Sequence, residues 1–492
     1  MSDQTSEITE NTLQMIRKAQ TAGITSAMGL YGYDLSGPAS LVPVNTPWYD
    51  HVKRVNSTDG AKVATWRTLM NVNSTQPNPF VGFDQGGSFV NFSEMDMFAP
   101  YAPVRVTGRV FRDAMDLSKG YDDAHARAVF GTLSQWRIQE NKGLLGGQNF
   151  ALPAIAQPVT TAGIAGTGNI ASSAAVAVRC AARSGLNYYW GGSGIASTAG
   201  GTASITTSTV AGGTYSATAT VTAVRGAVAY DWYVAGFYYT TTVVNKVTIT
   251  DVPTAHAGTV PTTLPALFTT APSAMPTVDT SYSANSYNGL IASCAGDYGT
   301  TGLVTAGSGT DSGCTFTSQN GVVLTANSQG VAEIDAMLLA IWNKAQVSPT
   351  AMIFNGQQAQ DIKAKILGTN AAITYLTPDA ASRDGVVGGG SVAGYINGAS
   401  GGDRVDIISD PHLPPGRIGF VTEQLNYPNQ GFANTFEARC LRDVSEFPYG
   451  ASVSATPGAN GGPREEWDVS STETFINRAP VACGWLTEIA AG

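Results

Sequence analysis

A glycine-flanked serine is the first candidate for chemistry in this sequence. Gly398-Ala399-Ser400-Gly401-Gly402 fits the G-x-S-x-G pattern that surrounds many nucleophilic serines. Such a serine must follow a strand and begin a helix, whereas the strand-like DRVDIIS follows here. We therefore interpret this stretch as a glycine-rich loop, and a hydrolase built on Ser400 is kept as an alternative.

The second candidate is the segment SDPHLPPG, which contains Ser409, Asp410 and His412. Members of a catalytic triad converge from separate elements, so near-adjacency argues against one, and the prolines indicate a turn. The chain's 4 histidines lack a partner at metal-ligand spacing, and GGGSVAG near Gly390 is not followed by a helix. The sequence thus predicts no catalytic residue, no cofactor site and no metal site.

Cysteine chemistry is the remaining option. The 5 cysteines are far apart and form no C-x-x-C pair, which argues against zinc and redox motifs. An odd count fits reduced, buried thiols, while the spacing leaves one disulfide, Cys294–Cys314, open. The cysteines are Cys180, Cys294, Cys314, Cys440 and Cys483.

Composition favours a protein that buries much of its surface against other subunits. Charged residues make up only 13% of 492 residues, about half the usual share, and hydrophobic residues 43%. The net charge of −9 argues against a general nucleic-acid binder. The first residues, MSDQTSEITENTLQMIRK, do not resemble a signal peptide, and no run is apolar enough for a membrane helix. We expect a soluble protein made in a cytoplasm.

A shift in charge density marks an insertion. Between Gly143 and Asn320 only nine residues are charged: Arg179, Arg183, Arg225, Asp231, Lys246, Asp251, Asp279, Asp297 and Asp311. Within this segment, TYSATATVTAVRGAVAYDWYVAGFYYTTTVVNKVTIT alternates apolar and polar residues around an Arg225-Gly226 turn. We predict a β-sandwich of immunoglobulin or fibronectin type. Its predicted core residues are Tyr215, Val221, Tyr230 and Trp232.

Before this insertion, the sequence predicts a long β-hairpin with a Pro- and Gly-rich tip, and then a long helix over 118–143 capped by Ser118. Val129, Phe130, Leu133 and Trp136 are predicted to form the buried stripe of the helix. Aromatic residues on a projecting hairpin are costly in water, so a partner surface is expected. The predicted inter-subunit contact residues are Trp66, Arg67, Phe80, Phe83, Phe89, Phe92, Arg127 and Arg137.

After the insertion the sequence predicts an α/β region. GVAEIDAMLLAIWNKAQ places Ile334, Met337, Leu338 and Ile341 on one helical face. A short strand, TAMIF, follows, and Asn355 is predicted to cap a second helix.

The order of these parts resembles the major capsid protein of tailed bacteriophages, which has the Hong Kong 97-type fold. VATWRTLMNV through SEMDMFAPYAPVRVTGRV resembles the extended loop of that family, and DDAHARAVFGTLSQWRIQENKGLLGG resembles the spine helix of its peripheral domain. VAEIDAMLLAIWNKAQVSPTAMIFNGQQAQDIKAKILG resembles its axial domain, and EEWDVSSTETFINRAPVACGWLTEI its last strands. The resemblance therefore implies an α+β capsid fold that carries an inserted all-β, immunoglobulin- or fibronectin-like sandwich.

The resemblance also implies domain boundaries. They are 1–54 for the N-terminal arm, 55–108 for the extended loop, 109–152 for the peripheral domain with its spine helix, 153–255 for the sandwich, 256–325 for a return segment, 326–448 for the axial domain and 449–492 for the peripheral-domain strands.

A function follows from the resemblance. It implies hexamers and pentamers of this chain that form an icosahedral shell in a virion, assembled in a bacterial cytoplasm, with the sandwich on the outer surface. Other implied partners are a separate scaffolding protein, a portal and a decoration protein, with DNA enclosed without sequence-specific binding and no membrane. Lys62 in the hairpin invites comparison with the crosslink of some members, but no partner residue for it is evident.

One more alternative is kept. A secreted or cell-surface glycan-binding protein would use aromatic residues of the sandwich, namely Tyr188, Tyr189, Trp190, Tyr238 and Tyr239.

Overall fold

The computed structural model describes most of the chain, and its contacts divide the chain into two compact units. The described residues are 44–57, 62–71, 80, 83–84, 86, 93–118, 123–171, 175–194, 203–206, 214–252, 275–298, 303–305, 313–327, 330–369, 394–425, 434–452 and 464–491. Unit one is built mainly from Val104–Gln139 and Arg442–Ser471, and unit two from Asn45–Pro103, Glu140–Leu441 and Thr472–Gly492. The predicted N-terminal arm, 1–54, lies outside the described residues as far as position 43.

The helices are α1 (Pro47–His51), α2 (Arg112–Ser118), α3 (Ala124–Gly146), α4 (Gly185–Trp190), α5 (Leu290–Ala295), α6 (Ala332–Ala345) and α7 (Gly356–Thr369). The strands are β1 (Lys53–Asn56), β2 (Val63–Asn71), β3 (Ser93–Pro100), β4 (Ala102–Phe111), β5 (Val159–Ala171), β6 (Ala175–Arg183), β7 (Ala203–Thr206), β8 (Thr214–Thr220), β9 (Ala229–Val234), β10 (Phe237–Thr242), β11 (Lys246–Ile249), β12 (Asp297–Tyr298), β13 (Val304–Thr305), β14 (Thr315–Ser318), β15 (Ala351–Phe354), β16 (Gly394–Asn397), β17 (Asp403–Ser409), β18 (Ile418–Val421), β19 (Phe436–Ser452), β20 (Arg464–Asn477) and β21 (Gly484–Thr487).

The predicted hairpin is confirmed in unit two. Strands β2 and β3 pair antiparallel, from Val63 opposite Pro100 to Asn71 opposite Ser93. Ahead of the hairpin, β1 pairs in parallel with the first residues of β19, from Lys53 opposite Glu437 to Asn56 opposite Cys440. The hairpin therefore emerges from a strand that is fixed in its own chain.

The long helix begins later than the sequence predicts, and its exposed face differs. It starts at Ala124, where the Asp123 carboxylate accepts a hydrogen bond of 3.0 Å from the Ala126 amide. The predicted cap, Ser118, instead ends helix α2. Trp136 is buried as expected, but Phe130 and Leu133 face solvent. The predicted stripe is thus wrong for these two residues, because helical spacing shows which residues share a face but not what covers it.

The low-charge insertion folds as two antiparallel sheets in unit two. One sheet has the strand order β10-β9-β6-β7 and the other β11-β8-β5. Side chains of both sheets meet in one apolar core, which includes Val178, Ala217, Trp232 and Ile249. The Arg225-Gly226 turn is confirmed, with Gly226 in the left-handed region at φ 81°. The arrangement is a sandwich with described strands between Val159 and Ile249, inside the predicted range 153–255.

The sequence predicts an immunoglobulin or fibronectin type for this sandwich, and that assignment stays a prediction. Among the strands that the structure describes, four form the larger sheet, β10-β9-β6-β7, and three form the smaller one, β11-β8-β5. Alternation of residue type identified the strands, but sheet membership depends on pairing between distant segments, which alternation does not encode.

The α/β region of unit two surrounds a six-stranded mixed sheet with the order β14-β21-β18-β15-β17-β16. Ile334, Met337, Leu338 and Ile341 of α6 pack into its core, as the helical spacing predicts. Asn355 caps α7, since its side-chain oxygen Oδ1 accepts hydrogen bonds of 3.0 and 3.2 Å from the amides of Gln357 and Gln358. Both helix predictions are therefore confirmed.

Candidate assembly interface

The root of the hairpin is attached to its own chain by backbone and apolar contacts. The Leu69 amide donates to the Arg478 carbonyl at 2.8 Å. Trp66 is 9% exposed and packs in a cluster with Met97, Tyr298 and Ile476. Trp66 was predicted as an inter-subunit contact, but its packing inside its own chain leaves little of the ring for a partner.

A buried ion cluster holds the strand that precedes the hairpin. The Arg54 guanidinium pairs with the Glu473 carboxylate and lies 3.7 Å from a carboxylate oxygen of Glu140. The Tyr287 hydroxyl donates to Glu140 at 2.7 Å. Burial, followed by the nearby Glu473 carboxylate, raises the pKa of Glu140 well above its ordinary value. Four sequence-distant segments are thereby joined at the start of the hairpin.

Helix α1, directly before β1, is capped from a distant loop. The Asp410 carboxylate accepts from the Trp48 amide at 3.2 Å and from the Asn141 side chain at 3.0 Å. The Tyr49 amide donates to the side-chain oxygen Oδ1 of Asn141 at 2.8 Å, and the His412 amide donates to Asp410 at 2.8 Å. The predicted turn in SDPHLPPG is confirmed, and its buried aspartate has a capping role.

The tip of the hairpin presents aromatic rings to solvent. Phe80 is 87% exposed and Phe83 is fully exposed. Arg67 on β2 is also exposed, and its guanidinium pairs with Asp96 at 3.0 Å and Glu94 at 3.4 Å. Phe89 and Phe92, the other predicted aromatic contacts, lie outside the described residues.

Unit one has an exposed apolar strip on helix α3. Phe130 is 70% and Leu133 42% exposed, and their three-residue spacing places them on one face. Arg127 is exposed one turn before Phe130, and Arg137 is half-buried one turn after Leu133. We call these four residues the α3 strip. Single exposed apolar residues are common, but a large pair beside arginines is a suitable surface for a partner.

The sandwich core contains all four residues that the sequence placed there. Tyr215, Val221, Tyr230 and Trp232 are buried. The Trp232 indole also donates to the Thr242 hydroxyl at 2.8 Å, which satisfies its polar atom.

Polar contacts connect this sandwich to the α/β region within unit two. The Tyr230 hydroxyl and the Ser318 hydroxyl both donate to the Glu488 carboxylate. Buried Arg417 donates to the Ala227 carbonyl at 3.0 Å, and burial lowers the pKa of Arg417 to about 10. Burial of these groups against each other is expected to hold the sandwich in one orientation on the sheet.

The candidate nucleophile does not have the geometry of a hydrolase serine. Ser400 ends a short 3₁₀ turn, and β17 follows it in place of a helix. Its hydroxyl donates to the Asn397 carbonyl at 3.1 Å, while the Asp403 amide donates to that hydroxyl at 3.3 Å. The glycine-rich loop interpretation is therefore confirmed at Ser400.

The aromatic residues considered for glycan binding do not form one exposed platform. Tyr188 and Tyr238 are buried, and the Tyr189 hydroxyl donates to the His412 carbonyl at 2.7 Å. Trp190 is about half exposed at the end of α4, and Tyr239 is half-buried.

Two features of the described part of the chain bear on other functions. No group of three or more His, Cys, Asp or Glu side chains there is arranged to hold a metal ion. Within the same residues, no helix has the length and apolar character needed to cross a membrane.

Sequence reasoning missed the ion cluster at Arg54. One signal was present, because Glu140 is four residues after Trp136 and so lies on the same face of α3 as that buried ring. A carboxylate at such a position indicates a buried, paired charge. Its partners Arg54 and Glu473 are too distant in sequence to be assigned without the fold.

Comparison with known proteins found no matching family model and no matching curated protein. Among solved structures, the cyanophage A-1(L) capsid asymmetric unit is similar to this chain at 10% identity and a TM-score of 0.46, covering 93% of this chain and 97% of that chain. The capsid of a native GTA particle is similar at 7% identity and a TM-score of 0.41, covering 95% and 100%. The holo-SrpI encapsulin complex of Synechococcus elongatus is similar at 10% identity and a TM-score of 0.39, covering 95% of each chain. With likenesses this distant, function has to be inferred from the chain's own residues.

Proposed function

We propose that this chain is the major capsid protein of a tailed bacteriophage and builds an icosahedral shell from hexamers and pentamers of itself. One observation carries the proposal. The hairpin is fixed at its root by Arg54 and the Trp66 cluster, yet at its tip Phe80 is 87% exposed and Phe83 is fully exposed. An element that is fixed at its root and exposes apolar side chains at its tip is suited to binding another molecule.

The same chain carries a surface that can receive such a tip. The α3 strip offers Phe130 and Leu133 with arginines on both sides. Contact between the tip of one copy and the strip of another is heterologous, since the two surfaces differ. Heterologous contacts that repeat around an axis close into rings. Burying one phenylalanine contributes about 1.5–3 kcal/mol, so two rings per copy give each contact a substantial part of its stability.

The charge distribution fits a container for DNA. A net charge of −9 disfavours general binding of the chain to DNA phosphates. The small share of charged residues, 13%, suits a subunit with several buried faces.

The sandwich is proposed to lie on the outer surface of the shell. It forms an outward layer of the shell, held to the α/β region through Glu488 and Arg417. A separate scaffolding protein, a portal and a decoration protein are proposed as further partners. The assembled chain is a virion component, and assembly takes place in the bacterial cytoplasm.

The proposal is tested by expressing the full chain and examining it by electron microscopy and sedimentation velocity. We expect shells or capsomer rings from the wild-type chain and dispersed subunits from the double variant Phe80→Ser/Phe83→Ser. The control is Val278→Ser, because Val278 is an exposed apolar residue outside the hairpin.

Circular dichroism should show the same secondary structure in all three proteins. A wild-type chain that stays monomeric at high concentration with scaffolding protein supplied would refute the capsid function. Assembly that survives the double substitution would refute the role of the tip.

A further inference from the structure

The buried ion cluster at the start of the hairpin contains two carboxyl groups and one guanidinium. Glu140 on α3 and Glu473 on β20 both have 0% exposed side chains. Glu473 pairs directly with Nη2 of Arg54, and Oε1 of Glu140 lies 3.7 Å from that same nitrogen. We call Arg54, Glu140 and Glu473 the Arg54 cluster. If both carboxyl groups were ionised, the cluster would hold two negative charges against one positive charge.

Such an excess of buried charge is costly. Burial removes the hydration of an ionised carboxyl group, and a second carboxylate nearby repels it. Two carboxyl groups that share a site therefore titrate as a pair, and one of them keeps its proton at a pH where exposed carboxyl groups have lost theirs. The charges of the Arg54 cluster balance when one proton is present, because one carboxylate then faces one guanidinium.

The contacts indicate which of the two carboxyl groups holds the proton. Glu473 has the contacts of an anion, since it pairs with Arg54 and accepts from the Cys440 thiol at 3.4 Å. Glu140 has the contacts of a neutral acid. The Tyr287 hydroxyl donates to its Oε1 at 2.7 Å, and its buried Oε2 accepts no hydrogen bond among the described residues. A hydroxyl at Oε2 can instead donate to Glu473, which lies within hydrogen-bond reach.

The other described groups that face the Arg54 cluster are phenols and a thiol. Tyr49 on α1 accepts from the Arg54 guanidinium at 3.1 Å, Tyr287 precedes α5, and Cys440 lies on β19. Phenols and thiols are ordinarily uncharged at pH 7, and burial raises the pKa of Tyr287 further. These groups therefore add no charge, and a proton on Glu140 balances the cluster.

We propose that Glu140 keeps its proton at neutral pH and that rising pH, by drawing this proton away, loosens the attachment of β1 before the hairpin. In the closed structure the Glu140 hydroxyl donates to the Glu473 carboxylate. When the root opens, both carboxyl groups enter water, the O–H bond of Glu140 breaks and the proton passes to the solvent. Opening therefore releases one proton, and a higher pH favours it.

This charge state depends only on the packing of unit two. Its consequence for assembly, a hairpin whose root opens more readily at higher pH, rests on the proposed capsid function. The tests therefore use the dispersed full-length chain, so that their outcome is independent of shell assembly.

Infrared spectroscopy detects the proton directly, because a carboxylic acid has a C=O stretch that a carboxylate lacks. At pH 7 the wild-type spectrum minus that of Glu140→Gln should contain this band. The control is the same difference for Glu94→Gln, whose side chain is 37% exposed on β3, and it should contain no such band. Absence of the band from the Glu140→Gln difference would overturn the proposal.

Trypsin cleavage after Lys53 and Arg54 measures the opening of β1 between pH 6 and pH 8. The cleavage rate at these bonds is divided by the rate on a peptide substrate at the same pH. In the wild type this ratio should rise by up to about tenfold per pH unit until Glu140 has lost its proton. In Glu140→Gln the ratio should stay constant, because an amide does not titrate there. Equal pH dependence in the two proteins would refute the loosening of β1.

Glu473→Gln is the second variant. It leaves one carboxyl group beside one guanidinium, so Glu140 should ionise and the carboxylic acid band should be lost from this protein as well. A band that persists in Glu473→Gln would contradict the charge balance on which the proposal rests. If Glu140→Gln does not fold, the difference between the wild type and Glu473→Gln decides the matter.

Discussion

The buried ion cluster at the start of the hairpin leads to the most specific stability prediction. Replacing Arg54 with methionine keeps much of the side-chain volume but removes the cation between Glu140 and Glu473. Both carboxylates have 0% exposed side chains, so water cannot replace the guanidinium. Removing one partner of a buried ion pair typically costs about 3–5 kcal/mol, and we expect a loss of about this size in the free energy of unfolding at pH 8.

The loss should depend on pH in a known direction. Because the pKa of Glu140 is raised in the folded chain above its ordinary value of 4.5, the folded chain binds a proton there more readily than the unfolded chain. As the pH rises from 4.5 toward the raised pKa, Glu140 ionises more readily in the unfolded chain than in the folded one. The free energy of unfolding therefore falls over this pH range. Lowering the pH from 8 toward 5 should thus restore part of the stability that Arg54→Met loses.

Urea denaturation followed by tryptophan fluorescence at pH 5, 6, 7 and 8 measures this effect. Arg67→Met is the matched control, since Arg67 also pairs with two carboxylates but is exposed on β2. The control should change stability little at any pH. A loss for Arg54→Met that is the same at pH 5 and pH 8, or no larger than the control's, would refute the reasoning.

Three further predictions concern packing. Arg417→Met should lower the free energy of unfolding by about 1–3 kcal/mol, because it leaves the Ala227 carbonyl without its donor, and urea denaturation measures this. Trp232→Ala should cost about 3–5 kcal/mol by leaving a cavity in the sandwich core, seen as a lower unfolding midpoint; an unchanged midpoint would contradict that packing. Gly108→Ala should destabilise unit one, since a Cβ there would lie 2.6 Å from the Trp467 ring, whereas Gly131→Ala on α3 meets no atom within 4 Å and should leave the thermal midpoint unchanged or raised.

Several elements were predictable from the sequence because their signals are local. The hairpin β2–β3, the buried face of α6 and the Asn355 cap of α7 follow from alternation, helical spacing and capping chemistry. The four sandwich core residues were found in the same way. The candidate site was predictable only in part, since Phe80 and Phe83 are exposed as expected but Trp66 is buried in its own chain.

The sequence alone determined which side chains share a face and where the chain turns, because those properties depend on neighbours within a few residues. Only the tertiary structure decided which faces are covered, as the exposure of Phe130 and the burial of Glu140 on one helix illustrate. It also placed Cys314 beside Cys483 through the pairing of β14 with β21, and it distributed the sandwich strands between two sheets. Contacts of this kind depend on packing between segments that lie tens to hundreds of residues apart. The local spacing of residue types along the chain does not encode them.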